Sequence, residues 1–381
     1  MKKILFVSSE NALNNSFGAE QRSNVLLQAF LANGFQVDLA YIGPKIDNHR
    51  PCIEGVNIVF WNNGRQWPIS RKDQRLRLLT YRMFPKSQTL EEIIDTLEQH
   101  NHYTYITCRY LQFAGLAGLF KYASKLILDI DDLPAQVFLS HIGEAGFLKK
   151  IYRTLMYKSM VSETSKWILK CKACFLPNEK QANDYGCVYF PNIPVVSCTA
   201  PSFISGNKNV LFIGRLDFDP NYRGMDYFIC NCWDQIIEQV PDAKLVIAGK
   251  GLYKEYRDSW LNYSNIEILG FVDNIIDFYN KGNIVISPIT SGAGTNIKVI
   301  EALSLGKSCV LSQFSTKGFD DVIFEDINCL VYRDDTDCIS KIIKLLKDQD
   351  LSKEIGKNAF VSARGKYSQN SIDKILGGCI L

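Results

Sequence analysis

The sequence predicts an α/β protein of two doubly wound, Rossmann-like domains facing each other across a cleft. Three observations carry this expectation. The chain opens with a strand–helix–strand unit: an apolar strand from Lys3 to Ser9, a helix from Ala19 to Asn33 stopped by Gly34, and a second strand from Phe35 to Ile42. The same pattern restarts near Asn209, after a stretch with three prolines and no helical period. A chain of 381 residues is also too long for one ordinary core. The expected boundaries are a first domain over 1–190, a linker over 191–209, a second domain over 210–360, and a tail over 361–381 that packs back on the first domain.

Composition narrows the class. Hydrophobic residues make up 46% and charged residues 22%, an ordinary globular balance. A net charge of +3 is too small to imply a nucleic acid partner. Twelve cysteines are too sparse for a disulfide scaffold in a chain of this length and read as reduced thiols, so a cytoplasmic setting is expected. Cys171-Lys-Ala-Cys174 has redox or zinc spacing but no second pair nearby, and reads as two small residues beside a buried strand; no metal is expected. The apolar run after Met1 is too short for a signal peptide and is interrupted by Glu10. No run of 18 apolar residues exists to span a membrane.

Taken in order, a polar loop from Asn11 to Gly18 follows the first strand. Trp61 to Lys86 holds Arg65, Arg71, Lys72, Arg75, Arg77, Arg82 and Lys86 against the single acid Asp73, with Leu76, Leu79 and Met83 on one helical face. Such a basic amphipathic stretch suits an anionic membrane surface, or else is the solvated face of a surface helix. A strand from His102 to Tyr110 and a helix from Leu111 to Ser124 follow, then a strand from Leu126 to Ile130. This strand runs into Asp129-Ile-Asp131-Asp132, carboxylates at a strand end where a doubly wound fold keeps its chemistry. Asp131 is therefore a candidate catalytic residue, the alternative being capping and loop solvation. One or two helices are expected from Phe147 to Lys172, and a last strand from Ala173 to Leu176.

In the second half, a strand from Asn209 to Ile213 leads to Gly214 and Arg215. A helix from Asp226 to Val240, a strand from Lys244 to Ala248, a turn at Gly249 to Gly251 and a strand from Ile266 to Leu269 come next. The stretch around which the rest is organised is Ser287 to Gly306. An apolar strand, Ile284 to Ile286, precedes it, and Gly292, Ala293 and Gly294 make a tight turn. Thr295 and Asn296 are N-cap types, and a helix runs from Ile297 to a stop at Gly306. Strand, glycine turn and helix N-terminus aim unpaired N–H groups at one point, which is an anion site. Lys298 adds a charge there, and Glu301, flanked by Ile300 and Ala302, should face water or a partner such as a ribose diol. A strand from Ser308 to Ser312 and helices from Ile339 to Leu346 and Leu351 to Ala363 close the domain.

These residues resemble a family. SGAGTNIKVIEALSLGKSCVLS is similar to the donor-binding segment of the retaining, nucleotide-sugar-dependent glycosyltransferases of family 4, which have the GT-B fold. The resemblance is dense from Val210 to Leu346 and thin before it. The family's usual pattern is Glu-x7-Glu; its second glutamate falls on Glu301, and its first falls on Ala293, a departure that bears on sugar specificity and activity. Gly292 to Lys298 is closer to the Gly-Gly-Gly-Thr-x-x-Lys form of some branches. The resemblance implies that Arg215 and Arg223 bind the donor diphosphate, which suits guanidinium chemistry. It also implies Gly249, Phe271 and Val272 near the base, and a glycine loop ending at Gly18 over the donor phosphates. The expected site is thus Arg215, Lys298 and Asp131 for catalysis, with Gly18, Arg223, Gly249, Phe271, Val272, Gly292, Gly294, Thr295, Asn296 and Glu301 for the donor. The implied reaction is retaining sugar transfer from a nucleotide-diphosphate sugar to an acceptor hydroxyl in surface polysaccharide or glycolipid assembly. It needs no cofactor, and the leaving phosphate takes the acceptor's proton. A lipid-diphosphate-linked or other glycan acceptor and a peripheral contact with the inner face of the plasma membrane complete the expectation. A nucleotide-sugar epimerase and a catalytically silent nucleotide-sugar-binding subunit are the alternatives.

Overall fold

Strand β1 (Lys2–Ser8) lies in the interior of the first sheet, because Ile4, Leu5, Phe6 and Val7 are fully buried and need cover on both faces. The structure is a computed structural model and describes residues 2–14, 18–44, 53–63, 86–136, 147–194, 198, 200–292 and 296–380. It divides into two units, Met1–Asn192 with Gln369–Leu381, and Ile193–Ser368.

In the first unit, β2 (Phe35–Ile42), β3 (Val56–Asn62), β4 (Tyr105–Arg109), β5 (Leu126–Asp129), β6 (Ala173–Leu176) and β7 (Val188–Tyr189) join β1. All pairings are parallel, in the order β3-β2-β1-β4-β5-β6-β7. The helices are α1 (Gly18–Ala32), α2 (Gln88–Asn101), α3 (Leu111–Leu116), α4 (Phe147–Ile168) and α5 (Glu179–Tyr185). Helix α1 covers the sheet with Val25, Leu26, Leu27, Ala29 and Phe30, all buried. Two expectations change here. His102 caps α2 in the left-handed region (φ 49), so β4 begins only at Tyr105. The single helix expected from Leu111 to Ser124 is broken at Gly118 (φ 68) into α3 and a 3₁₀ turn, Leu119–Lys125. Of the one or two helices expected from Phe147, the structure has one.

The second unit repeats the plan. β8 (Asn209–Ile213), β9 (Lys244–Ala248), β10 (Ile266–Gly270), β11 (Ile284–Ser287), β12 (Ser308–Ser312) and β13 (Leu330–Tyr332) form a parallel sheet in the order β10-β9-β8-β11-β12-β13. Its helices are α6 (Asp219–Phe228), α7 (Asp234–Gln239), α8 (Lys254–Trp260), α9 (Ile275–Tyr279), α10 (Ile297–Ser304), α11 (Asp335–Lys347) and α12 (Gln349–Arg364). The helix expected from Asp226 starts instead at Asp219, with Pro220 in its first turn, where proline's missing N–H costs nothing. That start moves Arg223 from a loop onto a helix.

In each sheet the unit's first strand, β1 or β8, lies between a strand that precedes the reversal of order and one that follows it. Ligands of open α/β sheets bind outside the strand carboxyl ends at this switch point. The last helix, α13 (Gln369–Ile380), belongs to the first unit: Asn33 Nδ2 donates to Asp373 O at 2.9 Å, and the Tyr105 hydroxyl to Ile380 O at 2.9 Å. Among the described residues no helix is long and apolar enough to cross a membrane.

Candidate functional site

At the switch point of the second unit, three turns are stitched together by backbone. Gly214 N–H donates to Ala248 O at 3.1 Å, Leu216 N–H to Lys250 O at 2.8 Å, and Gly249 N–H to Gly270 O at 2.7 Å. Gly249 is at φ +141, and a Cβ there would lie 1.8 Å from the Gly214 carbonyl oxygen, so no side chain fits. The ends of β8, β9 and β10 therefore form one glycine-lined floor.

Lys298, in the first turn of α10, reaches over this floor. Its Nζ donates to Asn221 Oδ1 at 2.5 Å and lies 4.7 Å from the centroid of the Phe212 ring. A Cβ placed on Gly214 would be 3.1 Å from the amine. Asn221 is itself buried and donates through Nδ2 to Arg215 O at 2.8 Å, so it ties the lysine to the arginine loop. Part of the Lys298 stem stays accessible, but the ammonium is enclosed. Desolvation pulls it down to about 7, against the opposing pull of the Glu301 charge.

Glu301, one turn further along α10, is buried, with 5% of the residue exposed. The Tyr279 hydroxyl, from the end of α9, approaches its Oε2 at 3.4 Å and Lys298 O at 3.3 Å. Burial first, and then the Glu301 charge, push the Tyr279 phenol well above its ordinary range, so it stays a neutral donor. Ser287, Ser312 and Ser315 form a buried hydroxyl cluster. Ser315 Oγ donates to Ser287 O at 2.9 Å, which locks the carboxyl ends of β11 and β12.

The two arginines lie differently from Lys298. Arg215 makes a two-pronged pair with Asp217, at 3.0 and 2.9 Å, and holds that carboxyl below its usual range. Arg223, 72% exposed in its side chain, pairs with Asp219 at 2.8 Å, one helical turn before it. Phe271 is half exposed beyond β10, with Lys250 Nζ 5.8 Å from its ring, and Val272 follows it. Gly292 has φ +128, and Asn296 stands at the N-cap of α10 without a side-chain capping bond. Ala293, Gly294 and Thr295 lie outside the described residues.

Gly18 and Asp131 belong to the first unit. Gly18 is the first residue of α1. Asp131 follows β5 at φ +60, beside a buried charge network that sequence reasoning saw only from its acidic side. Asp129 accepts from Arg22 Nε at 2.8 Å, Arg22 Nη2 at 2.6 Å and Arg109 Nε at 2.9 Å. Arg109, fully buried at the end of β4, also donates to Asp131, to Ala19 O and, at 3.0 Å, to Ser23 Oγ. Burial alone would raise the Asp129 carboxyl, but the two guanidiniums outweigh it and hold it below the carboxylate range. Asp132 is left on the other side of the ledger: burial and then the Asp131 charge push it up to about 6. Among the described residues, no group of three or more metal-ligating side chains could hold a metal ion.

Comparison with known proteins adds a partial family match to this geometry. Residues 207–348 match the family model of the glycosyl transferases group 1. The matched stretch lies wholly in the second unit and contains every residue of the floor, the lysine and the glutamate. Over 241 residues the chain is 24% identical to an uncharacterized 44.6 kDa protein in the cps region of Klebsiella pneumoniae. That match covers 60% of this chain, which thereby spans 61% of the relative's length. Among solved structures, sucrose-phosphate synthase from Thermosynechococcus elongatus superposes with a TM-score of 0.73 at 13% identity, covering 99% of this chain and 98% of that one. HepE of Anabaena, solved in complex with UDP and glucose, superposes at 0.65 and 12% identity, covering 99% of each chain. At such identities the likeness is one of fold, and it bears out the two-domain α/β architecture of GT-B type expected from the sequence.

Proposed function

We propose that the protein is a glycosyltransferase that moves a sugar from a nucleotide-diphosphate sugar to an acceptor hydroxyl. One observation carries the reading. At the switch point of the second unit, inside the family-matched residues, an enclosed amine (Lys298) and a buried carboxylate (Glu301) share one short helix above the floor of Gly214 and Gly249. The amine and the amides at Gly292 and Asn296 suit a diphosphate, and the expected donor residues Gly294 and Thr295, outside the described residues, belong to the same proposal. Glu301, backed by the Tyr279 hydroxyl, suits two ribose hydroxyls. Gly249, Phe271 and Val272 would flank the base. Arg215 and Arg223 now rest on Asp217 and Asp219, and a diphosphate would compete with those carboxylates for them.

As the nucleotide leaves, negative charge grows on its outer phosphate, and fixed cations there stabilise the separation. On this reading Lys298 and Arg215 supply that stabilisation without a divalent metal, and chelation with EDTA leaves turnover intact. Retention at the anomeric carbon, a contribution of Gly18 to the donor phosphates and a role for Asp131 with the acceptor belong to the same proposal. The cps-region relative supports surface polysaccharide assembly as the setting, and with it a glycan or lipid-diphosphate acceptor. The basic stretch from Arg65 to Lys86, nearly all of it outside the described residues, would add contact with an anionic membrane.

Ala293, where the related pattern has glutamate, favours a second reading: a subunit that binds the nucleotide sugar without consuming it. A thermal-shift panel of UDP-, GDP-, ADP-, dTDP- and CMP-sugars tests the common core of both. One nucleotide class should raise the melting temperature, since a ligand that binds only the folded state stabilises it by mass action. Lys298→Gln should shrink the shift. A panel without any shift would refute the site. A bound donor that stays intact with every acceptor offered would select the second reading.

A further inference from the structure

Four large apolar side chains are left in solvent along one helix of the first unit. Ile151, Tyr152 and Leu155 are exposed, Leu155 at 63%, and Leu169, one residue past the end of α4, is exposed at 84%. At about 100° per residue they share one sector of the helix, spread over about 27 Å of its length. Met160, Thr164 and Ile168 fall on the opposite side and are buried, so that side docks α4 to its unit. Lys158 and Lys166 lie in the outward sector and are exposed. Among the described side chains of this helix, Arg153, Lys158 and Lys166 stand against a single acid, Glu163, which sits 3.6 Å from Lys166.

A solvated helix face does not usually present several large apolar side chains in one sector beside lysines. A second copy of the chain is a poor occupant, because two such faces would bring like charges together. An anionic bilayer satisfies both halves of the pattern. Its phosphates take the ammonium groups, and its interface takes the short apolar side chains and the tyrosine ring.

We propose that the outward face of α4 lies on an anionic lipid surface and holds the first unit there. This rests on the membrane contact proposed above but places it on α4 instead of on the stretch from Arg65 to Lys86. The full-length protein is sedimented with vesicles of phosphatidylcholine, with and without phosphatidylglycerol. Wild type should bind only the anionic vesicles, and less as salt rises. The triple variant Ile151→Ser, Leu155→Ser, Leu169→Ser should bind at least about tenfold more weakly. The pair Lys158→Gln, Lys166→Gln should lose about 30-fold, two lysines' worth of surface attraction. All five residues are exposed, so unchanged melting temperatures confirm an intact fold. If both α4 variants bind like wild type while Arg71, Lys72, Arg75 and Arg77 replaced by Gln abolish binding, the α4 assignment falls and the lipid contact stands. If wild type ignores anionic vesicles, both fall, and the nucleotide site is untouched. A dimer in analytical ultracentrifugation that the serine variant dissolves would give the face to a second copy and overturn the proposal.

Discussion

Binding of a nucleoside diphosphate should draw a proton into the protein. In the free protein the Lys298 ammonium is desolvated and sits at about 7, with Asn221 its neutral partner and Glu301 the charge that opposes the shift. At pH 8 such a group is only about one-tenth protonated. A diphosphate beside it adds opposite charge and restores the ordinary lysine range of about 10.4. Binding at pH 8 should therefore take up about 0.9 proton. The sign follows: the bound state holds more protons, so affinity falls as pH rises above about 7, by up to about tenfold per pH unit until the bound amine itself titrates. Isothermal titration of UDP in HEPES and in Tris at pH 8 measures this directly, because the proton comes from the buffer and its ionisation heat enters the signal. The phosphates of UDP are already ionised there and contribute little. Lys298→Met should abolish the buffer dependence. Equal heats in both buffers, with an affinity flat from pH 7 to 9, would refute the placement of Lys298 against the diphosphate.

Other outcomes follow from the same geometry. Glu301→Ala should weaken nucleotide binding by about 1.5–3 kcal/mol, the worth of a hydrogen bond to a charged group, in a titration where unchanged binding would remove Glu301 from the site. Gly249→Ala should cost at least about 2 kcal/mol, from a Cβ driven toward the Gly214 carbonyl at φ +141, and a melting curve identical to wild type would contradict that close approach. Asp132→Asn should be more stable than wild type at pH 7.5 but not at pH 4. A carboxyl raised to about 6 in the fold costs stability as pH climbs from its unfolded value through 6, and the amide removes that cost. Equal stability of the two proteins at both pH values would show that Asp132 is not so enclosed.

The sequence made the plan of the second unit legible because β8, β9 and β10 are short apolar runs ended by glycine, and because Lys298 and Glu301 share one helix. What it hid came from afar in the chain. Asn221, the residue that holds Lys298, sits 77 residues earlier in a segment read as a loop. The helix expected from Asp226 begins at Asp219 with Pro220 in its first turn, which changed the setting of Arg223. Tyr279 gave no periodic sign of the carboxylate it meets. In the first unit the Asp129 and Asp131 motif was visible, yet its two guanidiniums arrive from 107 and 20 residues away, and only the tertiary fold brings them to one point. The basic stretch from Arg65 to Lys86 drew attention by composition. The exposed apolar face of α4 did not, since an exposed leucine and a buried one read alike in a sequence.

The central claim is transfer of a sugar from a nucleotide-diphosphate donor, and its most direct measurement is proton NMR of the reaction itself. The donor that binds in the thermal-shift panel is incubated with the protein and a glycan or lipid-linked acceptor, and the anomeric signals are followed. Transfer should give free nucleoside diphosphate and one new anomeric signal in equal amounts, with the configuration of the donor kept, and Lys298→Gln should give neither. A donor that remains intact, or that turns into its epimer with no nucleotide released, would contradict the claim.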